Sequence, residues 1–152
     1  MNVGLIGLGY WGKNVLRNLI THKNINNIYI LDTNIVKIKK LPNIFYFNNN
    51  KQFFSNKNID FYIVVTPTKT HFEFINKCLK MNKHVCITKP FVADYTQIKK
   101  LQNNFKNTHN IFLDHTYLFH SSIQHMRYLI NKKKLGKLIY YDSERISFGK
   151  FY

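Results

Sequence analysis

Apolar residues along this chain follow two rhythms that alternate: short continuous runs, and longer stretches in which they recur every three or four positions. The first run, Val3 to Ile6, predicts a strand that meets a glycine-rich turn. Tyr10 to about Thr21 follows as a helix, with Trp11, Val15, Leu16 and Leu19 on one stripe. Ile28 to Asp32 predicts a second strand, Asn34 to Ile38 a short helix stopped by Pro42, Ile44 to Phe47 a third strand, and Phe53 with Phe54 a brief helix. Asp60 to Val65 runs continuously apolar after its opening aspartate, as a strand covered on both faces should. A helix over about Thr70 to Met81 comes next, with Phe74, Cys78 and Leu79 inward, then a strand over His84 to Ile87. Asp94 caps a helix that carries Ile98, Leu101 and Phe105 on one face. Ile111 to Leu118 reads as a sixth strand, Ser121 to about Lys134 as a helix closed by Gly136, and Lys137 to Ser147 alternates as a last strand.

Strands alternating with helices at this spacing predict an α/β fold, a right-handed, doubly wound parallel sheet. Ligands of such sheets bind beyond the carboxyl ends of the strands. Four stretches converge there: Gly7 to Gly12, Asp32, Thr66 to Thr68, and Thr88 to Pro90. The final strand has no partner after it, and a lone edge strand is unstable. The chain therefore reads as cut just where a second domain begins.

The first stretch carries recognisable chemistry. Gly7-Leu8-Gly9-Tyr10-Trp11-Gly12 follows a strand and opens a helix, so Gly7 permits the turn, Gly9 lets a diphosphate approach, and Gly12 lets the helix pack close. Helix-start N–H groups then face the diphosphate. Tyr10 belongs to the same turn, and Trp11 reads first as packing. Asp32 ends the second strand about 20 residues on, where a carboxylate meets the adenosine ribose hydroxyls and repels a 2′-phosphate, favouring NAD over NADP. The plain alternative makes Asp32 a cap for the following helix.

Composition changes this picture little. In 152 residues, 45% hydrophobic and 16% aromatic content suffices for a core. No apolar run nears the roughly 18 residues of a membrane span, and the start does not read as a secretory signal. Cys78 and Cys86 make neither a disulfide framework nor a metal spacing, which suits a cytoplasmic setting. The net charge of +16 raises nucleic acid as a partner, but its lysines are scattered, and Lys132 to Lys134 complement a helix C-terminus. No specific nucleic acid and no membrane partner is expected.

With these residues in view, the chain resembles the Gfo/Idh/MocA family of NAD(P)-dependent oxidoreductases. The opening turn with its Trp11-Gly12, the Thr66-Pro67-Thr68-Lys69-Thr70-His71 segment, Thr88-Lys89-Pro90 where the family has E-K-P, and His115-Thr116-Tyr117-Leu118-Phe119-His120 carry the resemblance. It implies a Rossmann domain over residues 1–118, with 119–152 opening a truncated α+β domain for substrate and oligomer contacts. It also implies hydride exchange between NAD and a CH–OH carbon of a sugar or sugar nucleotide, in a family of homo-oligomers.

Under that resemblance Lys89 is the catalytic residue: beside the positive nicotinamide ring its charged form is disfavoured, making it a better proton carrier. The alternative is a solvated lysine at a strand end. Thr66, Pro67, Thr68, Thr88 and Pro90 are implied cofactor neighbours, and the Lys89-Pro90 bond is a candidate cis peptide. His71 is either a cofactor contact or a local hydrogen-bonding residue, and His115, Tyr117 and His120 are candidate substrate contacts without a metal role. Two departures stand out. Thr88 replaces the family's Glu, and the larger substrate domain has no counterpart. The competing reading is a non-catalytic dinucleotide-binding remnant or sensor.

Overall fold

Val3, Leu5 and Ile6 are buried along β1 (Asn2–Ile6) because strands lie on both sides of it and helices above and below. The computed structural model describes residues 1–34, 41–105, 110–144 and 146. Beside β1 stand β2 (Asn27–Leu31), β3 (Ile44–Phe47), β4 (Phe61–Val64), β5 (His84–Thr88) and β6 (Ile111–Asp114). Every pairing is parallel, in the order β3-β2-β1-β4-β5-β6. The chain leaves β1 towards β2 on one side and returns through β4 on the other. That reversal opens a crevice at the carboxyl ends of β1 and β4, as doubly wound sheets require.

Among the described residues five helices form: α1 (Tyr10–Thr21), α2 (Asn50–Phe54), α3 (His71–Lys80), α4 (Tyr95–Asn104) and α5 (Ser121–Asn131). On one face of the sheet Phe74, Ile75 and Cys78 of α3, Phe53 of α2 and Leu101 of α4 seal against Tyr62, Val64, Val85 and Ile87. On the other, Leu16 with Val15 and Leu19 of α1 covers Leu5, Ile28 and Ile30. Coverage of β4 is unequal, contrary to its continuous apolar sequence: Tyr62 and Val64 are buried, while Phe61 and Ile63 are half-exposed because α1 reaches only part of that face. Trp11 heads the α1 stripe yet stays 44% exposed, since the first turn overhangs the sheet end. Asp94 caps α4 as expected: its carboxylate accepts from the Gln97 N–H at 3.1 Å and the Thr96 hydroxyl at 2.5 Å. The helix expected over Asn34 to Ile38 lies largely outside the described residues.

The chain divides into two compact units, Met1–Asp114 and His115–Tyr152. Three expectations near and within the second unit are corrected. The sixth strand stops at Asp114, and Thr116–Phe119 form a 3-10 turn instead. Asp114 pairs with Thr88, the last residue of β5, so nothing remains for later residues to pair with. The helix after Ser121 ends at Asn131, and Lys133, at φ 53°, takes the left-handed closing position expected three residues later at Gly136. Residues 137–144 form no strand despite their alternation, because among the described residues no strand pairs with them. Ser147 lies outside the described residues.

Neither cysteine is bonded to the other. Burial pushes the Cys78 thiol up to about 12 and that of half-buried Cys86 up to about 11. The thiolate is the reactive form, so both thiols stay protonated at about pH 8. The native chain is expected to react with Ellman's reagent only slowly, and with both thiols at once in denaturant. A fast-reacting native thiol would contradict this packing. Among the described residues no helix is long and apolar enough to cross a membrane.

Candidate functional site

The turn after β1 is wedged between two strand ends. Gly7 donates its N–H to Leu31 O at 2.8 Å and holds φ +97°, a conformation that favours glycine. A methyl group there would meet Val65 O at 2.9 Å. One helical turn on, a methyl at Gly12 would stand 2.3 Å from Gly7 O, so α1 seats on the turn only because Gly12 has no side chain. Gly9 is the N-cap of α1 and has open space before it. The first turn of α1 carries neither an acidic residue nor a side-chain cap, which leaves its N–H end suited to an anion.

Asp32 completes the turn from the end of β2. Its Oδ2 accepts from the Leu8 N–H at 2.5 Å and its Oδ1 from the Asn34 N–H at 2.7 Å. The carboxylate thus ties β2 to the glycine turn and also closes a local turn at Asn34. A cleft of about 650 Å³ opens over these groups. Of the expected residues, Gly7, Gly9, Tyr10, Asp32, Thr66 and Pro67 line it. Sequence reading missed Lys13 from α1, Thr33 and Asn34 after β2, Asn48 and Asn50 after β3, and Glu73 and Phe74 from α3. Lys13 and the asparagines had a signal: each follows a strand's carboxyl end by a few residues or sits in the first turn of α1.

The Thr66–His71 segment is knotted by its own hydrogen bonds. The Thr70 hydroxyl donates to Pro67 O at 2.8 Å and stands 2.7 Å from the Thr66 hydroxyl, which donates to it. Thr68 begins a 3-10 turn that leads into α3. His71 is 1% exposed and is not among the residues lining the cleft. Its Nε2 lies 2.8 Å from Thr66 O, and its Nδ1 2.9 Å from Pro90 O and 3.2 Å from Phe91 O. The local hydrogen-bonding reading of His71 therefore describes its contacts. All three partners are carbonyls and only accept, so a neutral ring serves one side at a time and a protonated ring serves both.

Thr88 ends β5 with its hydroxyl 3.4 Å from Val64 O, and the Lys89-Pro90 bond is cis. Lys89 and Pro90 are exposed; they, with Trp11, Gly12, Thr68 and Thr88, do not line the cleft wall. His115, Tyr117 and His120 belong to the second unit, where His120 Nδ1 lies 2.7 Å from the Ser122 hydroxyl. Among the described residues no group of three His, Cys, Asp or Glu is placed to hold a metal.

Comparison with known proteins agrees with this fold. The family described as an oxidoreductase family with an NAD-binding Rossmann fold matches residues 1–115. The chain is 27% identical over 146 residues to the uncharacterized oxidoreductase YdgJ of Escherichia coli, covering 94% of this chain and 42% of that protein. It is 27% identical over 150 residues to the 2,7-anhydro-N-acetylneuraminate hydratase of Escherichia coli, covering 95% of this chain and 40% of the relative. In fold it is similar to a scyllo-inositol dehydrogenase from Lactobacillus casei solved with NAD(H) and scyllo-inositol: TM-score 0.80, 23% identity, 90% of this chain and 42% of that one. The chain thus spans about two fifths of the length of the relatives it matches.

Proposed function

Since the chain belongs to the Gfo/Idh/MocA oxidoreductase family, we propose that it forms the coenzyme-holding part of an NAD-dependent dehydrogenase acting on a CH–OH group of a sugar or sugar nucleotide in the cytoplasm. The observation that carries this is the joint placement of the open space at Gly9, the uncapped start of α1 and the Asp32 carboxylate around one cleft. Those groups fit a dinucleotide: N–H donors and a close backbone approach suit a diphosphate, and a carboxylate suits ribose hydroxyls. The polyhydroxylated rings in the names of two similar proteins, scyllo-inositol and a neuraminic acid derivative, support a sugar-like substrate.

When bound, NAD supplies the hydride acceptor or donor. The chain's own residues bind and orient it: Gly7 and Gly9 cradle the diphosphate, Asp32 takes the adenosine ribose, and the Thr66–Thr68 turn flanks the other half. Lys89, at the end of β5, exchanges the proton of the reacting hydroxyl. Thr88 has a hydroxyl where a carboxylate would orient that lysine, so in this chain the orientation falls to other groups.

Titration of NADH, read by the change in its fluorescence on binding, tests the shared premise. Saturable binding at micromolar concentration, weaker for NADPH, is the expected result. Binding that never saturates, or that any polyanion displaces in a salt-sensitive way, overturns it.

A further inference from the structure

We propose that His71 is the positioning residue for Lys89, fastening the bend that carries Lys89 to the turn at the end of β4. This rests on the reading of Lys89 and of the Thr66–Thr68 turn as the nicotinamide side of the site. The sheet itself cannot hold these two loops together. The β4–β5 pairing ends at Val64 and Ile87, so Thr66 and Lys89 lie past the last rung of the ladder. The His71 ring stands where that ladder stops. It is buried to 1% exposure, with one nitrogen at the Thr66 carbonyl and the other at the carbonyls of Pro90 and Phe91. Pro90 follows Lys89 directly, so the ring anchors the bend one residue from the side chain that is meant to react.

The chemistry of the partners makes this a clasp between loops. The bonds between the buried ring and the Thr66, Pro90 and Phe91 carbonyls are part-buried, so replacing the ring by a group that cannot donate costs more than losing a surface hydrogen bond. The ring reaches both loops from opposite edges, donating to one of them when neutral and to both when protonated, whereas an aliphatic or phenyl side chain of similar size donates to neither. Thr88 adds only a long contact of 3.4 Å between its hydroxyl and Val64 O. The ADP-ribose half of a coenzyme, held by the glycine turn and Asp32, rests on neither clasped loop except through the cleft wall at Thr66 and Pro67.

The test compares NADH with ADP-ribose, which lacks the nicotinamide, by calorimetry on the wild-type chain, His71→Phe and His71→Gln. His71→Phe is expected to weaken NADH about tenfold while leaving ADP-ribose within about twofold; His71→Gln, which keeps a donating amide, recovers most of the NADH affinity. Equal loss of both ligands, or loss of neither, overturns the proposal. A wild-type chain that binds neither ligand overturns instead the coenzyme reading beneath it. The wild-type protein also reports directly if the variants fail to fold. A His71 ring N–H should exchange with solvent far more slowly than those of exposed His84 in nitrogen-15 spectra, and exchange as fast as His84 sinks the clasp.

Discussion

Gly12→Ala is expected to lose about 2 kcal/mol of stability and nearly all NADH binding, while Gly9→Ala loses affinity with at most about 1 kcal/mol of stability. The two sites differ in what a methyl group meets. At Gly12 it would stand 2.3 Å from Gly7 O, and that carbonyl has nowhere to go. Gly7 is pinned by its N–H bond to Leu31 O at 2.8 Å, and on its other side there is not even room for a methyl group beside the Val65 backbone. Helix propensity acts in the opposite direction, since Ala in a helix interior is worth up to about 1 kcal/mol over Gly. A backbone clash of this depth outweighs it, because relief requires α1 to lift from the sheet and take Leu16 with it. At Gly9 the methyl meets nothing within 4 Å and φ is −65°, so the cost to stability is only alanine's poorer fitness as an N-cap, up to about 1 kcal/mol. What that methyl does occupy is the approach of a diphosphate, so NADH affinity is expected to fall about tenfold or more. Urea denaturation and NADH titration on both variants separate the two effects. A Gly12→Ala protein as stable as wild type, or a Gly9→Ala protein of undiminished affinity, would show that the turn is not built as described.

Local chemistry was legible in the sequence and tertiary closure was not. Ile44 to Phe47 stands as a strand with the bounds read from its apolar run, and Asp94 caps α4, because both depend on residues within a few positions of each other. The glycine turn and Asp32 were found for a similar reason, through spacing that the motif itself dictates. The strand expected through Leu118 fails at Asp114 because the limit is set by β5, whose last paired residue is Thr88. Nothing in the sequence of residues 115–118 reports where a neighbouring strand stops. His71 is the sharpest case. Its partner Thr66 lies five residues back, but Pro90 and Phe91 lie 19 and 20 residues ahead, so its bridging contacts exist only once β4 and β5 are side by side. The cleft residues Asn48 and Asn50 were visible as a polar loop, and the sheet order is what turns that loop into part of a wall.

Asp32→Asn is expected to weaken NADH about tenfold to a hundredfold and to abolish the preference for NADH over NADPH. The carboxylate already accepts from the Leu8 N–H at 2.5 Å and the Asn34 N–H at 2.7 Å, one bond to each oxygen. Each oxygen has a second lone pair, so ribose hydroxyls can be accepted without giving up the bonds that hold the turn. An amide of the same shape cannot do this. One of its two ends is an NH2 group, which places a donor against either the Leu8 or the Asn34 N–H and removes an acceptor from the ribose as well. Bonds to a charged acceptor are worth about 1.5–3 kcal/mol each, which sets the size of the loss. For NADPH the balance differs, since removing the negative charge also removes its repulsion of a 2′-phosphate, and Lys13 in the cleft wall remains as a cation. NADPH affinity is therefore expected to hold or rise while that of NADH falls. Asp60→Asn supplies the control. Asp60 also accepts a backbone N–H, from Asn2 at 2.8 Å, but at the amino end of β4, away from the crevice. It should cost some stability and leave the ratio of the two affinities where it was. An Asp32→Asn protein whose NADH-to-NADPH ratio matches wild type would mean that the adenosine ribose does not lie at the end of β2, and the orientation of the coenzyme along the cleft would have to be reversed or abandoned.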